Sequence, residues 1–198
     1  MLHIFMLCLL AYCIGSISSA IIVCRLMGIP DPRTTGSKNP GATNVLRSGS
    51  KKAAIATLLG DAIKGVIPVL FAVHLDPLPI CVGPVMVAAV LGHLYPIFFK
   101  FKGGKGVATA IGTIFALSWA VGVLLILTWG GIVYCFRYSS LGALTAALLA
   151  PFYVAWLLNL YFAIPVAMIS LLLFWRHREN AKRLWQGNES KIGQKSNL

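Results

Sequence analysis

The chain has 198 residues, of which 58% are hydrophobic and only 11% charged, and its mean hydropathy is +0.83. A soluble domain carries about a quarter charged residues, so this composition points instead to one integral membrane domain, residues 1–198, with room for six or seven helical crossings of about 20 residues each. The net charge of +12 reads as membrane topology plus anionic ligands, and not as a nucleic-acid surface.

In chain order, the first apolar run covers residues 2–24. It lacks the basic start of a signal peptide and outlasts the usual apolar stretch of one, so it reads as a transmembrane helix. Six more helices are expected over 53–73, 79–99, 105–118, 120–136, 140–158 and 160–175. The fourth is short and is expected to begin as a half-helix at the membrane edge. Cys8, Cys13, Cys24, Cys81 and Cys135 lie in or beside these runs with no Cys-x-x-Cys pair. They read as small buried hydrophobes, not as disulfide or metal ligands.

The basic residues orient the array. Arg25, Arg33, Lys38, Arg47, Lys51 and Lys52 fall between the first and second helices, and Lys100, Lys102 and Lys105 between the third and fourth. Arg137 falls between the fifth and sixth, and Arg176, Arg178, Lys182, Arg183, Lys191 and Lys195 follow the seventh. The other connections hold none, so sixteen of the seventeen Lys and Arg share one side. The positive-inside rule makes that side cytoplasmic, with the N-terminus outside and the C-terminus inside. The seventeenth, Lys64, lies within the second helix one turn after Asp61. Charges inside a span face a partner or a wet cavity, so this pair is either an internal ion pair that fixes packing or a wall of a site.

The polar loops carry the chemistry. Before the second helix stand Gly36, Ser37, Lys38, Asn39, Pro40, Gly41, Ala42, Thr43 and Asn44, followed by Arg47. Glycines let backbone N–H groups converge on an anion, and Ser, Thr and Asn add donors. The spacing of Gly36 and Gly41 suits a nucleotide P-loop, but Ala42-Thr43 stands where Lys-Ser/Thr is required, which rejects it. A second cradle, Gly103-Gly104-Lys105-Gly106, opens the fourth helix, whose N-terminus favours a phosphate. Lys100 and Lys102, interleaved with aromatics, fit snorkelling at the membrane edge. Ser139 and Ser140 precede the sixth helix, as a cap or as site hydroxyls on the same side. Beyond the seventh helix, His177 and Asn180 share a face if the helix continues.

The inventory also excludes reactions. Asp31, Asp61, Asp76, Glu179 and Glu189 are the only acidic residues, too scattered to hold catalytic magnesium. There is no Gly-x-Ser-x-Gly elbow. No His is followed by Asp five positions later, the signature of thioester-using acyltransferases. Two glycine-rich anion cradles beside a membrane suit chemistry between two phosphorylated molecules, one of them lipidic.

At these residues the chain resembles the bacterial acyl-phosphate:glycerol-3-phosphate acyltransferase family. The resemblance rests on Gly36-Ser37-x-Asn39-x-Gly41-Ala42-Thr43-Asn44 with Arg47, on Asp61-x-x-Lys64-Gly65, on Gly92-His93-x-x-Pro96 before Gly103-Gly104-Lys105-Gly106, and on His177-Arg178-x-Asn180-x-x-Arg183-Leu184 with Gly187 and Glu189. Lys38 stands where the family often has glycine, and Asn188 where threonine is common. The resemblance implies a seven-helix inner-membrane enzyme that makes 1-acylglycerol 3-phosphate from glycerol 3-phosphate and an acyl phosphate. Membrane lipid surrounds it, and no cofactor, metal or obligate protein partner is expected. It further implies Ser37 and Arg47 as catalytic or donor-binding residues, with Gly36, Asn39, Gly41, Thr43 and Asn44 around them. Gly103, Gly104, Lys105 and Gly106 would hold the glycerol phosphate, with Ser139 and Ser140 nearby. His177 and Asn180 would act in the site, and Glu189, like Asp61 and Lys64, would be structural. An acyl phosphate is already activated, so cations and N–H groups suffice to stabilise the leaving phosphate and the oxyanion. The proton of the attacking hydroxyl goes to His177 or to a substrate phosphate oxygen; the residues leave both open. The rival reading, a transporter of a phosphorylated solute, calls for inverted repeats and mid-depth polar groups, and only Asp61 and Lys64 supply the latter.

Overall fold

The computed structural model describes residues 1–48 and 50–193, so Lys195 of the basic tail lies outside the described residues. These residues are helical throughout, joined by turns and loops. The helices are α1 (Leu2–Gly15), α2 (Ser19–Leu26), α3 (Ala42–Arg47), α4 (Lys51–Leu75), α5 (Pro79–Leu94), α6 (Val107–Leu117), α7 (Trp119–Phe136), α8 (Ser139–Leu157), α9 (Leu160–Arg176) and α10 (Arg178–Trp185). Side-chain caps start several of them. Ser50 accepts from Ala53 N–H at 3.2 Å, Ser118 from Val121 N–H at 3.5 Å, and Asn159 from Phe162 N–H at 3.0 Å.

Three elements differ from the expected map. The first helix, expected unbroken over 2–24, is cut between α1 and α2. Ser16 turns its hydroxyl back onto the Tyr12 carbonyl at 2.8 Å, which competes with the helix ladder. Lys64 Nζ, from α4, donates to the Ile17 carbonyl at 2.7 Å. The third helix, expected to reach residue 99, stops at Leu94, and only a 3₁₀ turn (Ile97–Phe99) follows. Pro96 has no N–H to continue the ladder and biases Tyr95 away from helix. The fourth begins at Val107, not 105, because Gly106 holds the left-handed φ of +85°. Two short helices, α3 and α10, stand where the sequence offers polar loop and tail. The chain bends by 60° from α9 into α10.

Glycines bring two helix pairs together backbone to backbone. A Cβ on Gly15 of α1 would strike the Ala89 carbonyl of α5, and one on Gly92 of α5 would strike the Tyr12 carbonyl of α1. Gly65 of α4 and Gly112 of α6 face Thr109 and Ala62 in the same reciprocal way. Small residues allow such close approach where lipid removes the hydrophobic drive between helices. Outside these seams, large apolar side chains such as Leu70, Phe71, Leu127, Phe152 and Leu171 face outward. Apolar side chains therefore lie outside as well as in the core, unlike the surface of a soluble domain.

Among the described residues, five helical stretches are long and apolar enough to cross a bilayer: Leu2–Leu26, Lys51–Leu75, Pro79–Phe99, Trp119–Phe136 and Ser139–Leu157. α9 with α10 makes a sixth when the bent pair is taken as one span. α6, with 11 residues, is about 16 Å long and cannot alone cross a hydrocarbon core of about 30 Å. It packs against α4 and leaves its N-terminal turn at the base of a polar cluster.

Candidate active site

The cluster is built on the glycine loop before α6. Gly103 is squeezed against the carbonyls of His93 and Leu94 and the ring of Pro96, and Gly104 against the His93 ring and the Pro40 carbonyl; a Cβ at either would collide. Arg176, in the last turn of α9, donates to the carbonyls of Gly103 at 3.0 Å and Gly104 at 2.9 Å. The Gly104 N–H donates to the His93 carbonyl at 3.2 Å. The loop's carbonyls are thus pulled one way. Among the described residues nothing accepts from the N–H groups of Lys105, Gly106 or Val107. These N–H groups, with the positive end of α6, leave an edge with donors to spare, the kind of place an anion suits.

Lys105 closes that edge. Its Nζ donates to Asn180 Oδ1 on α10. The Asn180 amide then donates to Glu189 Oε1 at 2.6 Å, where Ser140 Oγ also donates at 2.7 Å. Arg183 pairs with the other carboxylate oxygen at 2.7 Å. One carboxylate therefore ties the glycine loop, the start of α8, α10 and the tail. Burial alone would raise the Glu189 carboxyl, but its bonds from Ser140, Asn180 and Arg183 outweigh this and hold it below the usual range. Burial pushes Lys105 down to about 8; Glu189 opposes the shift, while Arg183, Arg47 and Arg176 add to it.

His177 sits at the bend between α9 and α10, 3% exposed. Its Nδ1 lies 2.8 Å from the Leu173 carbonyl. A carbonyl only accepts, so Nδ1 carries the proton and Nε2 keeps a lone pair. Burial lowers the imidazole to about 4, with Lys105 and Arg176 contributing against the Leu173 bond and Glu189. At neutral pH it is uncharged.

The first loop flanks the second. Gly36, at φ +55°, lets the chain turn tightly over Asn44, where a Cβ would meet Oδ1. Asn44 accepts from Ser37 N–H at 2.9 Å and donates to the carbonyls of Pro32 at 2.8 Å and Thr35 at 3.1 Å. Its amide is therefore committed to shaping the loop. Gly41 caps α3, with Asn39 against it. Thr43 and Ser139 bring their hydroxyls to 3.2 Å, joining this loop to α8. Ser37 is exposed on the loop, and Arg47, on the last turn of α3, reaches the Ser190 carbonyl at 3.4 Å.

Asp61 and Lys64 lie deeper, as an ion pair at 2.9 Å, each under a tenth exposed. His93 Nδ1 stands 3.6 Å from the same carboxylate, and Thr109 donates to the Asp61 carbonyl at 2.9 Å. The group joins α4 to the α1–α2 connection through Ile17, to α5 through His93 and to α6 through Thr109.

Of the residues singled out in the sequence, Lys105, Asn180, Glu189 and Ser140 meet directly, with His177 beside them. Thr43 meets Ser139, and Arg47 meets the tail. Sequence reasoning gave no individual role to Arg176, which orients the glycine loop, or to His93, whose ring and carbonyl wedge it. A basic residue ending a span beside His177 was the one available signal for Arg176. Only the Gly92-His93-x-x-Pro96 run pointed to His93.

Comparison with known proteins bears on the family and the fold. The family model described as "Glycerol-3-phosphate acyltransferase" matches residues 5–187. A glycerol-3-phosphate acyltransferase of Methylococcus capsulatus is 54% identical over 186 residues, covering 93% of this chain and 94% of that protein. One from Vibrio cholerae is 53% identical, covering 94% and 89%, and one from Proteus mirabilis is 55% identical, covering 93% and 84%. The fold superposes on crystal structures of PlsY (YgiH), an integral membrane glycerol 3-phosphate acyltransferase. In its glycerol 3-phosphate form the TM-score is 0.92 at 39% identity, with 96% of each chain covered. In its lysophosphatidic acid form the TM-score is 0.91 at 38% identity with the same coverage. The helices and their outward apolar faces define a multi-pass membrane protein. The chain belongs to the glycerol-3-phosphate acyltransferase family.

Proposed function

We propose that the protein transfers the acyl group of an acyl phosphate to the 1-hydroxyl of glycerol 3-phosphate, giving 1-acylglycerol 3-phosphate and inorganic phosphate at the entry to phospholipid synthesis. The observation that carries this reading is the chain Lys105–Asn180–Glu189, which holds a half-buried cation beside an edge of N–H groups that have no acceptor among the described residues. Such an edge suits a phosphate dianion, and its lipid-facing surroundings suit an acyl chain.

Lys105 and the N–H groups of Lys105, Gly106 and Val107 hold the glycerol phosphate. Ser37 and Arg47 of the first loop face the acyl phosphate and stabilise its leaving phosphate and the oxyanion. Gly36, Asn39, Gly41 and Asn44 shape that loop, and Thr43 and Ser139 fix its distance from α8. Ser140, Asn180, Arg183 and Glu189 hold Lys105 in place. The glycerol oxygen attacks the acyl carbon, the carbon–oxygen bond to phosphate breaks, and the hydroxyl proton leaves. With its imidazole lowered to about 4, His177 is a weak base at neutral pH. A phosphate oxygen of the substrate pair is the better proton acceptor, with His177 Nε2 positioning the hydroxyl. No metal enters the reaction.

The protein forms one integral unit of seven crossings, with α1 and α2 as the first and α6 as a short fourth. The N-terminus lies outside the cell's inner membrane and the site lies on the cytoplasmic side. The distribution of Lys and Arg supports this orientation.

The test is a donor comparison. Purified protein given labelled glycerol 3-phosphate should form product with palmitoyl phosphate, and none with palmitoyl-CoA or palmitoyl-acyl carrier protein. Equal turnover with either thioester would refute the donor assignment.

A further inference from the structure

At the opposite end of α4 from the glycine loop, three side chains of metal-binding type converge from separate parts of the chain. His3 stands in the first turn of α1, Asp76 follows the end of α4, and Cys81 lies in the first turn of α5. One donor atom from each lies within 4.8 Å of the other two. The Cys81 thiol donates to Asp76 Oδ2 at 2.9 Å, and the Leu78 N–H donates to Oδ1 at 3.2 Å. Cys81 is 3% exposed, whereas His3 reaches the surface. None of these groups bonds to the cluster around Lys105.

We propose that His3, Asp76 and Cys81 form a zinc site. The donors are one imidazole nitrogen, one carboxylate oxygen and one sulfur, a mixed set that suits zinc. Magnesium and calcium take oxygen ligands and are poorly served by a thiolate and an imidazole. The thiol–carboxylate hydrogen bond keeps the sulfur and the carboxylate oxygen side by side, as two ligands of one metal must be. On binding, the Cys81 S–H proton passes to solvent and a sulfur–zinc bond forms in place of the S–H bond, with the Asp76 carboxylate as a second ligand. The Leu78 N–H orients the carboxylate from behind, the supporting bond that metal-binding carboxylates commonly carry. Water completes the tetrahedron from the exposed side of His3. The site staples the start of α1 to the α4–α5 connection, so its effect is on stability.

The test uses full-length protein without a purification tag, stripped with chelator and titrated with Co²⁺ and then Zn²⁺. Wild type should bind one Co²⁺ with a thiolate-to-metal charge-transfer band, which one equivalent of Zn²⁺ removes. Cys81→Ser should lose that band, and Asp76→Asn and His3→Ala should each weaken binding about tenfold or more. His74→Ala, on the last turn of α4, should bind as wild type does. Zinc should raise Tm for wild type and His74→Ala but not for Cys81→Ser, whose metal-free Tm matches that of stripped wild type. No charge-transfer band in wild type, or equal zinc binding in all variants, would overturn the proposal.

Discussion

Lys105 keeps its charge against its surroundings. Burial and the guanidiniums of Arg183, Arg47 and Arg176 bring it down to about 8, with Glu189 alone opposing them. A phosphate bound beside it would favour the charged form. In the free enzyme the charge is present below that value and lost above it. If the ammonium holds glycerol 3-phosphate, kcat/KM for that substrate should be flat between the substrate's second phosphate ionisation, about 6, and pH about 8, and fall about tenfold per unit above it. Lys105→Arg, which stays charged, should lose that alkaline limb whatever its absolute rate. A wild-type profile flat well beyond this range would show that the charge is not used. His177, neutral above about 4, should add no acid limb near neutrality. The roles of single residues were only partly legible. Glycine, lysine and asparagine types in the loops point to an anion site. Which way a carbonyl turns depends on Arg176, 72 residues downstream of Gly104. For the same reason Asn44 reads in sequence as a ligand donor, although three bonds commit it to its own loop.

At the scale of elements, several of the long helices start where Ser or Asn precedes an apolar run, which explains why their approximate positions could be read directly. The cut between α1 and α2 could not, because its cause includes a lysine on another helix, 47 positions away. The end of α5 at Leu94 was readable in principle from Pro96, but the continuing apolar run to residue 99 obscured it. The reciprocal glycine seams were invisible for the same reason as the cut, since each needs its partner helix. They also make a sharp prediction. Gly112 sits on the Ala62 carbonyl, so Gly112→Leu must separate α6 from α4 and displace the glycine loop with it. Such overpacking costs roughly 1–3 kcal/mol. A thermal-unfolding midpoint equal to that of wild type in the same detergent would contradict the seam. Gly130, inside α7 where a Cβ would meet nothing within 4 Å, is the control: Gly130→Ala should not lower the midpoint.

Across the whole molecule, polar groups divide into three layers. Arg47, Arg176, Arg183 and the tail lie around the glycine loop, the Asp61–Lys64–His93 group links helices within the bundle, and His3, Asp76 and Cys81 lie at the far end. The middle layer bears on the transporter reading, whose one support in the sequence was this ion pair. Lys64 is held by Asp61 and the Ile17 carbonyl together, which suits a packing role and not a passage. The charge distribution predicts that reporter fusions place the C-terminus in the cytoplasm and the N-terminus outside. Both termini on the same side would remove α6 from the count of crossings.

The proposed reaction assigns one substrate to each loop: the glycine loop holds glycerol 3-phosphate and the first loop acts on the acyl phosphate. Gly104→Ala is a poor probe of this division, because the added methyl would press on Pro40 of the first loop as well as on His93. Lys105→Ala and Ser37→Ala separate the loops cleanly. Losing a charged hydrogen bond of about 1.5–3 kcal/mol should raise the KM for glycerol 3-phosphate in Lys105→Ala by roughly 10- to 100-fold, with a smaller change in kcat. Ser37→Ala should leave that KM near wild type and lower kcat by about 10²–10³-fold, as expected for a donor engaged in the transition state. Steady-state kinetics with both substrates varied is the deciding measurement. That pattern is the expected result; Lys105→Ala with an unchanged KM for glycerol 3-phosphate, alongside Ser37→Ala with only that KM raised, would contradict it.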